Sequence, residues 1–215
     1  MQKGKLMKVI FYGDSITDAG RNYQIDFDPE HYGHGYVKYA METLMAEDPE
    51  KYVLYNRGIS GNRIVDLYAR IKKDVWNLQP DVLSILIGVN DVWHELDGEN
   101  GVDLVRFEKI YRILLDDTLE RFPNLKILLC EPFILKGSAT VEKWEEFLQV
   151  KEYAKVVKKL ANEYGFDFLP LQETLDKAAA LNGSEYYAAD GVHPTADGAK
   201  LIAAEWLKAF KKIEK

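Results

Sequence analysis

Cysteine is nearly absent. Cys130 is the one thiol in 215 residues, so no intrachain disulfide can form and a cysteine-based zinc site is excluded. At the end of an apolar stretch it is expected as an inert buried thiol. Long hydrophobic runs are also missing, and no segment approaches the length of a membrane span. Near the N-terminus Lys3, Lys5 and Lys8 accompany an apolar run of only five residues, Val9 to Gly13. A secretory signal needs a longer apolar core and a small-residue cleavage site, so the expected location is cytoplasmic. Positive charge is in deficit: 28 Lys and Arg against 35 Asp and Glu leave a net charge of −7. That argues against nucleic acid, whose phosphates need a basic face, and against an anionic membrane surface. The basic residues are dispersed, apart from a solvated tail around Lys211 and Lys212.

What is present is the composition of an ordinary globular protein, 47% hydrophobic and 29% charged. No repeat, low-complexity linker or composition break divides it, so one domain over residues 1–215 is expected. Short apolar runs alternate with longer amphipathic ones. Met7–Tyr12, Tyr52–Asn56, Val82–Ile87, Lys126–Cys130 and Asp167–Pro170 read as strands. Gly35–Ala46, Ile64–Leu78, Leu104–Arg121, Val141–Tyr164, Leu171–Leu181 and Ala196–Lys212 read as helices, the last with Leu201, Ile202, Trp206, Leu207 and Phe210 on one stripe. Lys and Glu at ion-pair spacings mark a solvated face on the helix from Val141. Such alternation predicts a parallel sheet between helices, with ligands bound beyond the carboxyl ends of the strands. Ser15, Gly58 to Gly61 and Gly88 to Asp91 all follow predicted strand ends and should converge there.

Four stretches carry possible chemistry. Gly13-Asp14-Ser15-Ile16-Thr17-Asp18 reads as an exposed serine on a turn, or as an Asp/Ser helix cap. A phosphate loop is disfavoured, because the Gly-Lys-Ser/Thr ending is missing and Asp14 and Asp18 would repel a phosphate. Asn56-Arg57-Gly58-Ile59-Ser60-Gly61-Asn62 is either a tight turn or a loop that aims the Gly61 amide at a developing oxyanion. Gly88-Val89-Asn90-Asp91-Val92-Trp93 either caps a helix or offers the Asn90 amide to the same oxyanion. In Asp190-Gly191-Val192-His193-Pro194 the aspartate sits three residues before the histidine, within reach of one imidazole nitrogen. Pro194 biases His193 away from helical geometry, placing it on a loop before the last helix. A serine hydroxyl becomes a good nucleophile when an imidazole takes its proton and a carboxylate orients that imidazole.

Taken together and in this order, the four blocks resemble the SGNH hydrolase superfamily, also called GDSL esterases, over essentially the whole chain. The resemblance implies a flavodoxin-like three-layer α/β/α sandwich with a five-stranded parallel sheet. It also implies a serine esterase with a Ser15–His193–Asp190 triad and an oxyanion hole made by Ser15, Gly61 and Asn90. Ile16 stands where the family name has leucine, a conservative change. The blocks are further similar to the intracellular acetylxylan esterase branch, which removes acetyl groups from xylo-oligosaccharides. Some relatives carry an aromatic residue just before the triad aspartate; here it is Ala189, with Tyr186 and Tyr187 a little upstream. The implied partner is a small-molecule or oligosaccharide ester, with no metal or organic cofactor, and a homo-oligomer is in keeping with such relatives.

Asp14, Trp93 and Tyr187 are candidate substrate contacts, and His94 is either near the acyl pocket or a solvated surface residue. Trp93 reads equally as cleft wall or core. Trp76, Trp144 and Trp206 fall within predicted helices and read as core or interface. Asp26 to Gly35 is expected as a loop over the site; Asp28, Glu30, His31 and His34 within it lack a metal-ligand signature. Arg57 and Arg63 bracket the glycine-rich turn, and one of them is expected to pin it by an ion pair. Two other readings compete with a short-acyl carbohydrate esterase: a lysophospholipase or thioesterase of the same superfamily, and a non-catalytic flavodoxin-like binding protein.

Overall fold

The computed structural model describes residues 6–24 and 32–214. Five strands, β1 (Met7–Gly13), β2 (Tyr52–Gly58), β3 (Val82–Leu86), β4 (Lys126–Cys130) and β5 (Asp167–Leu169), form one parallel sheet in the order β2-β1-β3-β4-β5. Gly13 pairs with Gly58 and Leu86, Leu86 with Cys130, and Cys130 with Leu169, so all five carboxyl ends finish on one edge. The expected strands begin where the observed ones begin and differ only at their carboxyl ends.

Side chains alternate across the sheet because successive Cβ atoms point to opposite faces. Phe11 turns to one side, its ring 4.4 Å from Trp206 and 6.0 Å from Tyr36. Tyr12 turns to the other and donates its hydroxyl to the Leu67 carbonyl. The first face is covered by α2 (Tyr36–Glu47) and α10 (Ala196–Ile213), packed on each other. The second is covered by α3 (Ile64–Asp74), α5 (Leu104–Arg121) and α7 (Val150–Tyr164), packed in a row. The fold is a three-layer α/β/α sandwich. β3 is buried at every position, as a central strand between two helical layers must be. Its one polar side chain, Ser84, accepts from Trp206 Nε1 at 2.9 Å; an unsatisfied buried hydroxyl there would cost about 1–3 kcal/mol. Cys130 lies beside it, 1% exposed, its thiol pushed up to about 12 by burial.

The remaining helices are short: α1 (Ser15–Asp18), α4 (Val89–Gly98), α6 (Trp144–Phe147), α8 (Gln172–Asn182) and α9 (Ser184–Tyr187). Three features differ from the sequence reading. The segment after β3 is a full helix, α4, entered through Gly88 at φ 139°. The helix expected over 141–164 is broken in two. Its first three residues belong instead to a loop tied down by Ala139 N donating to Asp190 O at 3.1 Å and Val141 N to Gly137 O at 3.0 Å. α6 then drives Phe147 into the core, against Trp93. The helix expected to reach Leu78 stops at Asp74 and gives way to a 3₁₀ turn over Trp76–Leu78, because Val75 adopts φ −125°.

Candidate active site

β1 ends at Gly13, and Asp14 turns the chain into α1. The Asp14 side chain caps that helix, Oδ1 accepting from the Ile16 amide at 2.9 Å. This leaves Ser15 partly exposed at the carboxyl edge of the sheet, with its Oγ 2.8 Å from His193 Nε2.

His193 arrives from the other end of the chain on the turn before α10. Its Nδ1 lies 2.6 Å from Asp190 Oδ2, while Asp190 Oδ1 accepts from the amides of Val192 at 2.9 Å and His193 at 2.8 Å. One carboxylate thus holds both the imidazole and the backbone that carries it. Partial burial alone would raise the Asp190 carboxyl, but its bonds to His193 and to the two amides outweigh that and hold it at about 2. The Asp190 hydrogen bond in turn raises His193 above its ordinary value, more than burial lowers it. The turn is compact because Gly191 (φ 94°) crosses Gly137 backbone to backbone. A Cβ on Gly137 would stand 2.1 Å from Gly191 N, and one on Gly191 2.4 Å from Leu135 O.

The third component comes from the loops after β2 and β3. Gly61 sits at φ 81°, a conformation that glycine adopts without strain. Asn90, in the first turn of α4 and 5% exposed, donates from Nδ2 to the Asn62 carbonyl at 3.1 Å. The Asn90 amide is thereby fixed beside the Asn62–Arg63 peptide, on the loop that carries Gly61, with its second N–H free of that bond. Serine, histidine, aspartate, the glycine loop and the asparagine come together at one edge of the sheet. Such a constellation can deprotonate a hydroxyl, hold the resulting imidazolium, and donate hydrogen bonds to an oxyanion.

Several residues organise this edge in ways the sequence does not assign to them. Asp18 accepts from Ser60 N at 2.9 Å, Ser60 Oγ at 2.7 Å and the Tyr23 hydroxyl, joining α1 to the glycine-rich loop. Arg21 Nε donates to Gly58 O at 2.8 Å, and Asn56 Nδ2 to Thr17 O at 2.8 Å. Arg70 reaches furthest, donating to Gly13 O at 3.0 Å, Arg57 O at 2.9 Å, Asn62 Oδ1 at 2.7 Å and Asp74 Oδ2 at 2.7 Å, while lying 4.4 Å over the Tyr12 ring. Asp91 accepts from the Ile64 amide at 3.0 Å and so caps α3. Burial raises both Asp14 and Asp91, and the Asp14 charge adds to the rise at Asp91. The repeated Asp in Gly-Asp-Ser-Ile-Thr-Asp and in Asn-Asp was the one available hint of these roles.

The candidate substrate contacts separate. Asp14 is 1% exposed and lies beneath the turn that carries Ser15, not on a cleft wall. Trp93 is partly exposed, its ring 5.8 Å from Phe147 and 6.0 Å from His193, so it is both core and wall. Tyr187 closes α9, just before the histidine turn, with its ring 5.1 Å from the exposed Tyr186 and its hydroxyl accepting from Asn182 Nδ2 at 2.8 Å. His94 is partly exposed beside Gly61. Of the two arginines, Arg63 forms an ion pair, 2.9 Å from Asp66, and also donates to Asn100 Oδ1. Trp206 is core, whereas Trp76 and Trp144 are half-buried beneath Arg121 and Lys136. Most of the loop expected over the site, including Asp28, Glu30 and His31, lies outside the described residues, and His34 is exposed beside Gly20. Among the described residues no group of three or more His, Cys, Asp or Glu is placed to hold a metal ion.

Residues 11–201 match the model of the GDSL-like lipase/acylhydrolase family. The chain is 36% identical to an acetylxylan esterase of Geobacillus stearothermophilus, over 97% of this chain and 95% of that one. A crystal structure of Axe2, an acetylxylan esterase of the same species, superimposes with a TM-score of 0.85 at 33% identity, covering 97% and 96% of the two chains. Axe2 is also described as an acetyl-xylooligosaccharide esterase, and its solved forms include catalytic mutants in which a serine, an aspartate or a histidine is replaced by alanine. A GDSL-like lipase candidate from Parabacteroides merdae superimposes with a TM-score of 0.91 at 39% identity, covering 96% of each chain. The chain belongs to the GDSL-like lipase/acylhydrolase family, and it is a carboxylic ester hydrolase.

Proposed function

We propose that this esterase removes acetyl groups from acetylated xylo-oligosaccharides or similar short carbohydrates, through an acyl-enzyme on Ser15. The hydrogen-bonded chain Ser15 Oγ–His193 Nε2 (2.8 Å) and His193 Nδ1–Asp190 Oδ2 (2.6 Å) carries the reading. In the first half-reaction His193 Nε2 takes the Ser15 proton as Oγ bonds to the ester carbonyl carbon. The carbonyl oxygen becomes an oxyanion held by the amides of Ser15 and Gly61 and the side chain of Asn90. Asp190 stabilises the imidazolium without taking a proton. The C–O bond to the sugar breaks, and the sugar hydroxyl leaves with the proton from His193. Water then repeats the sequence on the acetyl-enzyme, freeing acetate and Ser15.

The substrate class draws support from the relatives, which include an acetylxylan esterase and catalytic mutants in the same three residue types. The aromatic surface near His193, with Trp93 on one side and Tyr186 and Tyr187 upstream, suits a sugar face. The test is a pair of initial rates, on p-nitrophenyl acetate and p-nitrophenyl octanoate, with Ser15→Ala as background, followed by acetate release from acetylated xylo-oligosaccharides. A steep fall from acetate to octanoate together with acetate release is expected. Octanoate turnover equal to or above acetate would move the assignment to a lysophospholipase or thioesterase. Equal hydrolysis by Ser15→Ala would remove the serine mechanism altogether.

A further inference from the structure

Asn90, Trp93 and His94 are three and four residues apart on α4 and share one face of that helix. Asn90 turns to Asn62 and Trp93 to the His193 ring. His94 turns to Gly61: a Cβ built on that glycine would stand 3.9 Å from His94 Cε1 and 4.0 Å from Nε2. The imidazole is partly exposed. Asp66, which is bound to Arg63, is close enough to feel a charge on His94.

An ester whose carbonyl oxygen is held at the Gly61 amide brings toward His94 the group carried beside its alkoxy carbon. In an acetylated pyranose this group is the hydroxyl on the neighbouring carbon. A neutral imidazole offers one donor and one acceptor, which matches a hydroxyl. An alkyl chain in the same place would strip water from both ring nitrogens without replacing its hydrogen bonds. An anionic group would be brought toward Asp66.

We propose that His94 is a specificity-determining residue, which hydrogen-bonds the hydroxyl vicinal to the acetylated carbon and so selects sugar esters over esters of simple or long-chain alcohols. This rests on the acetyl-sugar reading above and assigns one residue to it. The experiment compares kcat and KM on acetylated xylotriose and on p-nitrophenyl acetate, which lacks a vicinal hydroxyl. Wild type, His94→Ala and His94→Gln are measured side by side. In His94→Ala the ratio of kcat/KM on the sugar to that on p-nitrophenyl acetate falls about tenfold, through KM for the sugar, the size expected when one hydrogen bond to substrate is deleted. His94→Gln, whose amide keeps a donor and an acceptor, recovers most of that ratio. An unchanged ratio in His94→Ala, including an equal loss on both substrates, overturns the proposal. A wild-type enzyme that hydrolyses p-nitrophenyl acetate but not acetylated xylotriose overturns the sugar reading itself, and the His94 assignment with it.

Discussion

Asn90 donates a hydrogen bond to the main-chain carbonyl of Asn62 at 3.1 Å. The bond fixes a side-chain amide on α4 against the loop that carries Gly61, so two of the three oxyanion donors of the proposed mechanism move as one unit. A preorganised donor acts mainly on the transition state, and removing one costs about 10²–10³ in rate. In Asn90→Ala, kcat on p-nitrophenyl acetate is expected to fall by about that factor, with KM changed little. A variant that loses KM instead would place Asn90 in ground-state binding.

The Asp190 hydrogen bond raises His193 above the ordinary imidazole value of 6.5. The mechanism needs the neutral ring, so activity appears as pH rises through the raised value. The acidic limb of kcat/KM is therefore expected above pH 6.5 and not below it. The stability linkage runs the other way: the protonated ring is favoured by the fold, so that contribution is present at low pH and fades as His193 deprotonates. Asp190→Asn should shift the acidic limb downward and cut kcat by about 10⁴, because the imidazole loses the partner that fixes its tautomer. A pH–rate profile of the two proteins decides this.

Asp14 and Asp91 have an ordinary value of 3.8, and burial raises both well above it in the folded protein. Between those limits the native state holds protons that the unfolded chain has lost, so the two groups lower stability as pH rises from about 4 toward neutrality. Thermal melts of the wild type should show this decline. Asp91→Asn should flatten it, since the amide does not titrate. An identical pH slope in the variant would mean that Asp91 stays ionised in the fold.

Arg70 satisfies three acceptors around the site, the carbonyls of Gly13 and Arg57 and the side chain of Asn62, and pairs with Asp74; both side chains of that pair are 14% exposed. Arg70→Met leaves those groups without the guanidinium and should cost about 2–3 kcal/mol, the upper range for losing hydrogen bonds to a charged group at a part-buried position. Arg70→Lys should recover only part of the loss, because an ammonium cannot span the same fork of acceptors. Chemical denaturation of the three proteins measures both values.

Much of this architecture is legible in the sequence because it is local. Short apolar runs place the start of each strand, and the nearly continuous apolar run of β3 marks the centre of the sheet. The spacing of Asp190 and His193, with Pro194 behind them, puts a carboxylate within reach of an imidazole before any fold is known. The segment after β3 is less legible: Asn90-Asp91 signals at most a helix start, and the short run to Gly98 does not show how far α4, with Trp93 and His94 on it, extends. The break at Gln149 was hidden for a similar reason, since it depends on Phe147 reaching Trp93.

Only the tertiary structure decided what the long-range contacts decide. Ser15 and His193 are 178 residues apart in sequence and 2.8 Å apart in space, and no spacing rule measures that distance. Asp14 looks like a site residue on paper but is buried, because its carboxylate is needed to cap α1. Arg70 carries no motif, because its role is to join the end of β1 to the loop after β2, through the Gly13 and Arg57 carbonyls and the Asn62 side chain. The sequence determined which chemical groups stand at the strand ends, through short apolar runs set between amphipathic stretches. Which of those groups meet, which are buried and which face a substrate depended on how the loops cross at the carboxyl edge of the sheet.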